Sequence, residues 1–349
     1  MKSPQLIKTF GFFALFIFFY GCTEENYYTI VEPNQNLGKV NVYIEDNIST
    51  ADAQAKLNRE VGTQTENIYI RNTTQVTELN IKLVGDIRDV SIQSNSNLEK
   101  VTIEGTNSLA NRLDVHDFSL NFLVIKGIKK TKNLDMRLFS TANNKQIDIY
   151  DLEIIDEQLK FGVRGIDNIA NFHHLKYIDY ISNFQQGNVS GILGNYASLT
   201  LPNLEECRNN LHLEVKTQQL TLPKLKKIRF LSLYYWVMSD IPYGAIIGPE
   251  SFITPLLTDC NFEIRLKTND FTTIPDLSFI QNLTHCSYLG LFYTRLNNAQ
   301  VNNILQKCLS FQPISGKTIN LAEGNEMPTG QGLIDKQTLI DQGNIVLTQ

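Results

Sequence analysis

A chain of 349 residues is long enough for one large core or two ordinary ones. With 42% apolar and 19% charged residues, it is neither a disordered chain nor a polytopic membrane protein. A formal net charge of −5 without basic clusters excludes a protein that tracks nucleic-acid phosphates.

The N-terminus reads as an address. Lys2 and Lys8 precede an apolar run from Phe10 to Tyr20, which ends in Gly21-Cys22. A membrane-crossing helix needs about 20 apolar residues, so this run is too short to span. A basic start, a short apolar stretch and a small residue before the cut make a secretory signal, residues 1–21. Gly21-Cys22 resembles the lipobox of bacterial lipoproteins, with Phe19 and Tyr20 where that pattern usually has Leu and a small residue. The resemblance implies that the Cys22 thiol carries the lipid, palmitate among its acyl chains, and becomes the first mature residue. Removing Lys2 and Lys8 gives a mature charge of −5 − 2 = −7. Residues 22–38 are polar and contain Pro33, as a tether does.

From residue 39 the chain repeats itself. Pairs of apolar residues separated by one polar residue recur as Ile68-Tyr69-Ile70, Leu79-Asn80-Ile81, Val90-Ser91-Ile92 and Val101-Thr102-Ile103. They continue to Leu211-His212-Leu213 and Leu231-Ser232-Leu233. Each pair predicts a short half-buried strand, and their regular spacing predicts a solenoid in which every coil is covered by its neighbours. Leu199-Thr200-Leu201-Pro202-Asn203-Leu204-Glu205-Glu206-Cys207 returns 21 residues later as Leu220-Thr221-Leu222-Pro223-Lys224-Leu225-Lys226-Lys227-Ile228. His173-His174-Leu175-Lys176-Tyr177-Ile178 and Asn97-Leu98-Glu99-Lys100-Val101 are looser copies.

This "LPxLxxI" corner resembles the receptor L-domain type of leucine-rich parallel β-helix, which is the fold expected for residues 39–238. In residues 239–349 the strand cores Phe262-Glu263-Ile264, Leu289-Gly290-Leu291, Ile319-Asn320-Leu321 and Ile345-Val346-Leu347 lie further apart, leaving room for helices. Asn297 or Asn298 caps one, with Val301, Ile304, Leu305, Cys308 and Leu309 on its apolar stripe. Asp335 to Gln342 is a second helix, closed by Gly343. Ala51–Glu60 is a short helix at the other end. The segment from Asn297 onward is similar to the terminal repeat of bacterial leucine-rich repeat surface proteins. That implies an α/β leucine-rich solenoid here, within a lipoprotein of the outer membrane displayed at the cell surface.

The chemistry-bearing residues are few. Cys207 and Cys308 fall on core positions. Leu257-Thr258-Asp259-Cys260 recurs as Leu283-Thr284-His285-Cys286, so Cys260 and Cys286 stack in adjacent coils within disulfide reach. An oxidising compartment would permit that bond. No cofactor or metal site is expected: there is no Cys-x-x-Cys, and adjacent His173 and His174 point opposite ways in an extended segment. No catalytic motif is present, and the Glu263/Arg265 pair reads as surface charge, so the protein is expected not to be an enzyme.

Binding is the expected function. Outward positions stacked by repeat are Thr200, His212/Glu214, Thr221, Ser232/Tyr234, Glu263/Arg265, Gly290/Phe292 and Asn320. Tyr234, Arg265 and Phe292 then form an exposed aromatic and cationic patch, suited to a protein partner and secondarily to a glycan. The alternative is a carbohydrate-binding or carbohydrate-active envelope protein.

Overall fold

The computed structural model describes residues 36–138, 140, 142, 144–179, 190–235, 248–266 and 277–349. The signal segment, Cys22 and most of the tether lie outside the described residues. Among those described, no helix is long and apolar enough to cross a membrane.

Seventeen strands are described, and all their ladders are parallel. The principal ladder runs through the whole described chain. Its inward row passes from Ile44 through Ile70, Ile92, Val115, Met136 and Phe161 to Ile192, Leu213, Leu233, Ile264 and Leu291, each the register partner of the next. None of these is more than 2% exposed. The alternating pattern in the sequence produces this row, because successive strand residues face opposite sides.

A second parallel ladder forms the return leg of the central coils. Its inward row is Leu79, Val101, Leu123, Ile147, Ala170 and Leu199, with Leu220 beside Phe252 further on. Long strands supply both ladders by bending between them. Lys100–Asp117 bends after Gly105, and Phe122–Leu138 bends at Gly127. A side chain at Gly127 would overlap the Gly105 carbonyl, and Gly127 has φ +68, so only glycine permits that corner.

At the ends, helices replace second-ladder strands. Helix α1, Thr50–Glu60, joins Asn41–Glu45 to Asn67–Arg71, and Ser49 caps it by accepting from Asp52 N at 3.1 Å. Helix α2, Asn298–Cys308, starts with the expected Asn297 cap, completed reciprocally by Gln300, and buries Val301, Ile304, Leu305 and Cys308 of the expected stripe, while Leu309 is half-buried at its C-cap. Helix α3, Gln331–Asp341, starts four residues before the predicted Asp335, and Gly343 closes it at φ +83. Strand Gly248–Ile253, which lies before the first strand core expected in this half, pairs with Lys216–Thr221 on the second ladder. The principal ladder is therefore uninterrupted there.

The repeated corner is a tight turn: Leu204 N donates to Leu201 O and Leu225 N to Leu222 O, both at 3.3 Å. Thr254-Pro255-Leu256-Leu257 makes a third copy, with Leu257 N donating to Thr254 O at 3.2 Å. Asn97–Val101, a loose copy in sequence, sits at the opposite corner, since Lys100 and Val101 open a second-ladder strand. Charges at the corner alternate between coils. Lys226 pairs with Glu205 at 3.3 Å, and Lys176 with Glu153 at 2.8 Å.

Buried asparagines hold the backbone at the corners. Asn95 accepts from Thr73 N and Oγ1 and donates to Asp117. Asn325 likewise accepts from Thr294 and Leu296 N while donating to Leu291 O. Two lysines do similar work. The Lys145 ammonium donates to the carbonyls of Ser140, Ala142 and Arg164, and Lys317 to those of Phe311, Pro313 and Ile314. Burial pushes the Lys145 ammonium down to about 8 and lowers that of Lys317.

Candidate functional site

The outward side of the principal ladder collects the polar chemistry. One outward row reads Asp114, Asp135, Lys160, Gly191, His212, Ser232, Glu263 and Gly290; the row beside it contains His116, Arg137, Gly162, Leu193 and Glu214. Neighbours in a row are about 4.8 Å apart, the spacing of paired strands.

Tyr234, Arg265 and Phe292 stand in consecutive register at the C-terminal part of this face. Phe292 departs from expectation, because it is only 4% exposed. The cause is Gly290, two residues earlier on the same face: a Cβ there would lie 2.7 Å from the Phe292 ring, which fills the space instead. The Arg265 guanidinium covers the ring at 4.2 Å from its centroid. Arg265 is held in turn by Glu263 at 3.5 Å and Glu323 at 3.9 Å. The Tyr288 hydroxyl donates to Glu263 at 3.2 Å, and burial first, then the Glu263 carboxylate, raises its pKa.

Among the described side chains at this end, Tyr293 is an exposed ring, 42% exposed, with no sign of it in the sequence. Its φ of +59 turns the chain out of the strand, a conformation that a tyrosine gives no reason to expect. A hydrogen bond to Glu323 raises its pKa. Thr200 and Thr221, expected in the same stack, lie on the second ladder opposite Asn171 and Ile253.

The N-terminal part of the face is a charge network. Asp114, 2% exposed, receives Arg112 at 2.5 Å and Gln93 at 3.2 Å. His116 Nε2 lies 3.1 Å from Asp114 and 2.9 Å from Asp135, and Arg137 grips Asp135 with two nitrogens at 3.0 and 3.2 Å. Beyond it, His212 meets Glu214 at 2.6 Å. Every carboxylate named here already faces a cation or an imidazole, so none is placed as a free general base.

Cys260 and Cys286 do stack in adjacent coils, but their thiols are free. Each sulfur turns to a backbone carbonyl instead, Cys260 to Asn261 O and Cys286 to Tyr288 O, both at 3.2 Å. The expected disulfide is thus not formed. Burial pushes the Cys286 thiol up to about 12 and that of Cys260 well above its usual range, keeping both protonated and unreactive. His173 stacks on Tyr150 at 4.4 Å and approaches Asp148 at 3.4 Å, while His174 bonds to Tyr150 O at 2.6 Å. The two imidazoles serve different partners. Among the described residues, no group of three or more His, Cys, Asp or Glu is placed to hold a metal.

Comparison of the chain with family models, curated proteins and solved structures returned no match.

Proposed function

We propose that this chain is a bacterial surface lipoprotein of the leucine-rich repeat kind, anchored through Cys22, whose solenoid binds a protein partner without catalysis. The fold assignment combines a receptor L-domain-like β-helix in the centre with α/β leucine-rich repeats at the C-terminal end. The observation that carries the binding role is the register of Tyr234, Arg265 and Phe292 on a face where strands are fixed on both sides. A rigid sheet presenting a guanidinium beside aromatic rings costs little ordering on association. Because Phe292 is the floor of this patch, the contact residues are Arg265 and Tyr293, with Tyr234 next in register.

The reading is tested in two steps. Cys22→Ala should abolish partition of the protein into detergent; unchanged partition removes the lipid anchor. Crosslinking on intact cells should then identify a protein whose capture falls about tenfold or more in Arg265→Ala. Equal capture by parent and variant moves the contact away from this patch.

A further inference from the structure

We propose that the C-terminal coil of the solenoid is a surface for a second copy of this chain, joined coil to coil about a two-fold axis. The two ends of the described solenoid differ in what they show to solvent. A solenoid stays soluble as a single chain when its terminal units turn polar faces outward. Helix α1 does this at the N-terminal end, where it buries Ala53 and Leu57 and exposes Asp52, Asn58 and Arg59. The C-terminal coil does the opposite. Leu333, Ile334 and Ile340 of α3, with Ile345 and Leu347 of the strand that follows, are each between 39% and 59% exposed. Isolated exposed apolar residues are normal, but five on one coil form a patch.

The patch has a helix face and a strand edge. Gly332, Asp335 and Leu339 are the buried positions of α3, with Gly332 against Asn302 of α2. Leu333, Gln337 and Ile340 follow the i, i+4, i+7 spacing of one helix face, and all three are exposed. The Lys336 ammonium donates to the Thr348 hydroxyl at 2.8 Å and ties α3 to strand Ile345–Thr348. Among the described residues that strand pairs on one side only, with Thr318–Leu321. Its other edge offers unpaired backbone groups to a further strand.

A two-fold axis normal to the sheet satisfies both elements at once. It sets the two strand edges antiparallel and keeps α3 and its copy side by side in one layer. Leu333 and Ile340 lie equally far from the midpoint between Lys336 and Gln337, so Leu333 of one copy faces Ile340 of the other. Covering this helix face and strand edge buries an area on the order of the 800 Å² per partner of a standard interface. Charge favours the same pairing. With a net charge of −5, two copies repel each other except where they meet on a surface poor in charge. No charged residue stands among Leu333, Gln337 and Ile340, and the nearest acids are occupied: Asp335 accepts from Gln331 at 2.9 Å and Asp341 from Gln337 at 2.7 Å.

The surface is separate from Arg265 and stands whether or not the protein-binding reading holds. The test is sedimentation of the full chain in density-matched detergent over a range of concentrations, with a monomer–dimer equilibrium expected. Leu333→Lys and Ile340→Glu should each raise the dimer dissociation constant about tenfold or more at unchanged melting temperature. Combined, they set a lysine opposite a glutamate of the other copy, and the double variant should recover part of the loss. If either variant fails to fold, Gln337→Cys decides. Beside the axis, it should give a disulfide-linked dimer on mild oxidation beyond any formed by the parent, whereas Asn58→Cys on α1 should not. A parent that stays monomeric, a dimer indifferent to Ile340→Glu, a double variant weaker than both singles, or equal crosslinking by the two cysteine variants overturns the proposal.

Discussion

The central coils and the C-terminal coils share one principal ladder but differ in what returns the chain to it. In the centre the return leg is a second strand, packed through rings such as Phe172, which meets Phe161 edge-on at 5.1 Å. At the C-terminal end α2 and α3 take its place, and the row partner of Phe161 four strands on is Ile264, followed by Leu291. Register on the principal ladder survives this exchange. The return leg needs only an apolar stripe at the right height, and either a strand of period 2 or a helix of period 3.6 supplies one.

The comparison breaks most visibly at the core. Phe161→Ala removes a ring that touches both ladders and should cost about 4 kcal/mol, while Leu291→Ala should cost about 3 kcal/mol. Hydrogen exchange should separate them further. Phe161→Ala should open amides on both ladders of the central coils, whereas Leu291→Ala should loosen only the coils around α2. Identical exchange maps would show that the return leg does not matter.

A second contrast lies between two buried corner aspartates. Asp117 accepts from the backbone of Asn95, Ser119 and Leu120. Asp179, equally buried, receives the Ser190 hydroxyl at 2.7 Å and faces the Cys207 sulfur at 3.9 Å. Burial therefore pushes the Asp179 carboxyl up to about 7, against the hydrogen bonds that oppose it. The folded chain keeps this proton up to about pH 7, while the unfolded chain releases it near 3.8. Stability from this group is thus complete below pH 3.8, declines as pH rises, and is lost above 7. Asp179→Asn should leave stability unchanged at pH 3.5 and raise it at pH 8, by up to about 4 kcal/mol, in urea titrations at the two pH values. An equal effect at both would place the carboxyl in water.

How much of this was legible in the sequence varied between the same two regions. In the C-terminal coils each strand is short, so Leu-x-Leu spacing located Ile264 and Leu291 and aligned Tyr234, Arg265 and Phe292. In the central coils single strands of 17 to 19 residues serve both ladders, with register shifts at their bends. The spacing between Asp114, Asp135, Lys160 and Gly191 is therefore uneven, and the charged rows went unread. Phe292 was misjudged for a local reason: alternation gives the side of the sheet but not whether a neighbouring glycine lets a ring lie down. The Lys145 and Lys317 corners were invisible because their partners are carbonyls, which every residue has.

The smallest effect concerns the corner column that both regions share. The two near-literal repeats differ chiefly in charge, Glu205-Glu206 against Lys226-Lys227, and the fold places Glu205 beside Lys226. The inversion makes neighbours attract where identical copies would repel. Both side chains are partly or largely exposed, 31% and 61%, so the pair is screened and contributes about 0.5 kcal/mol. Lys226→Glu should lower stability by that amount at low salt and by almost nothing at 1 M salt. Adding Glu205→Lys should recover only part of the loss, because Lys176 stands on the other side of that position, its own pKa raised chiefly by Glu153 and slightly by Glu205. A salt-independent loss would mean that Lys226 acts through its aliphatic stem rather than its charge.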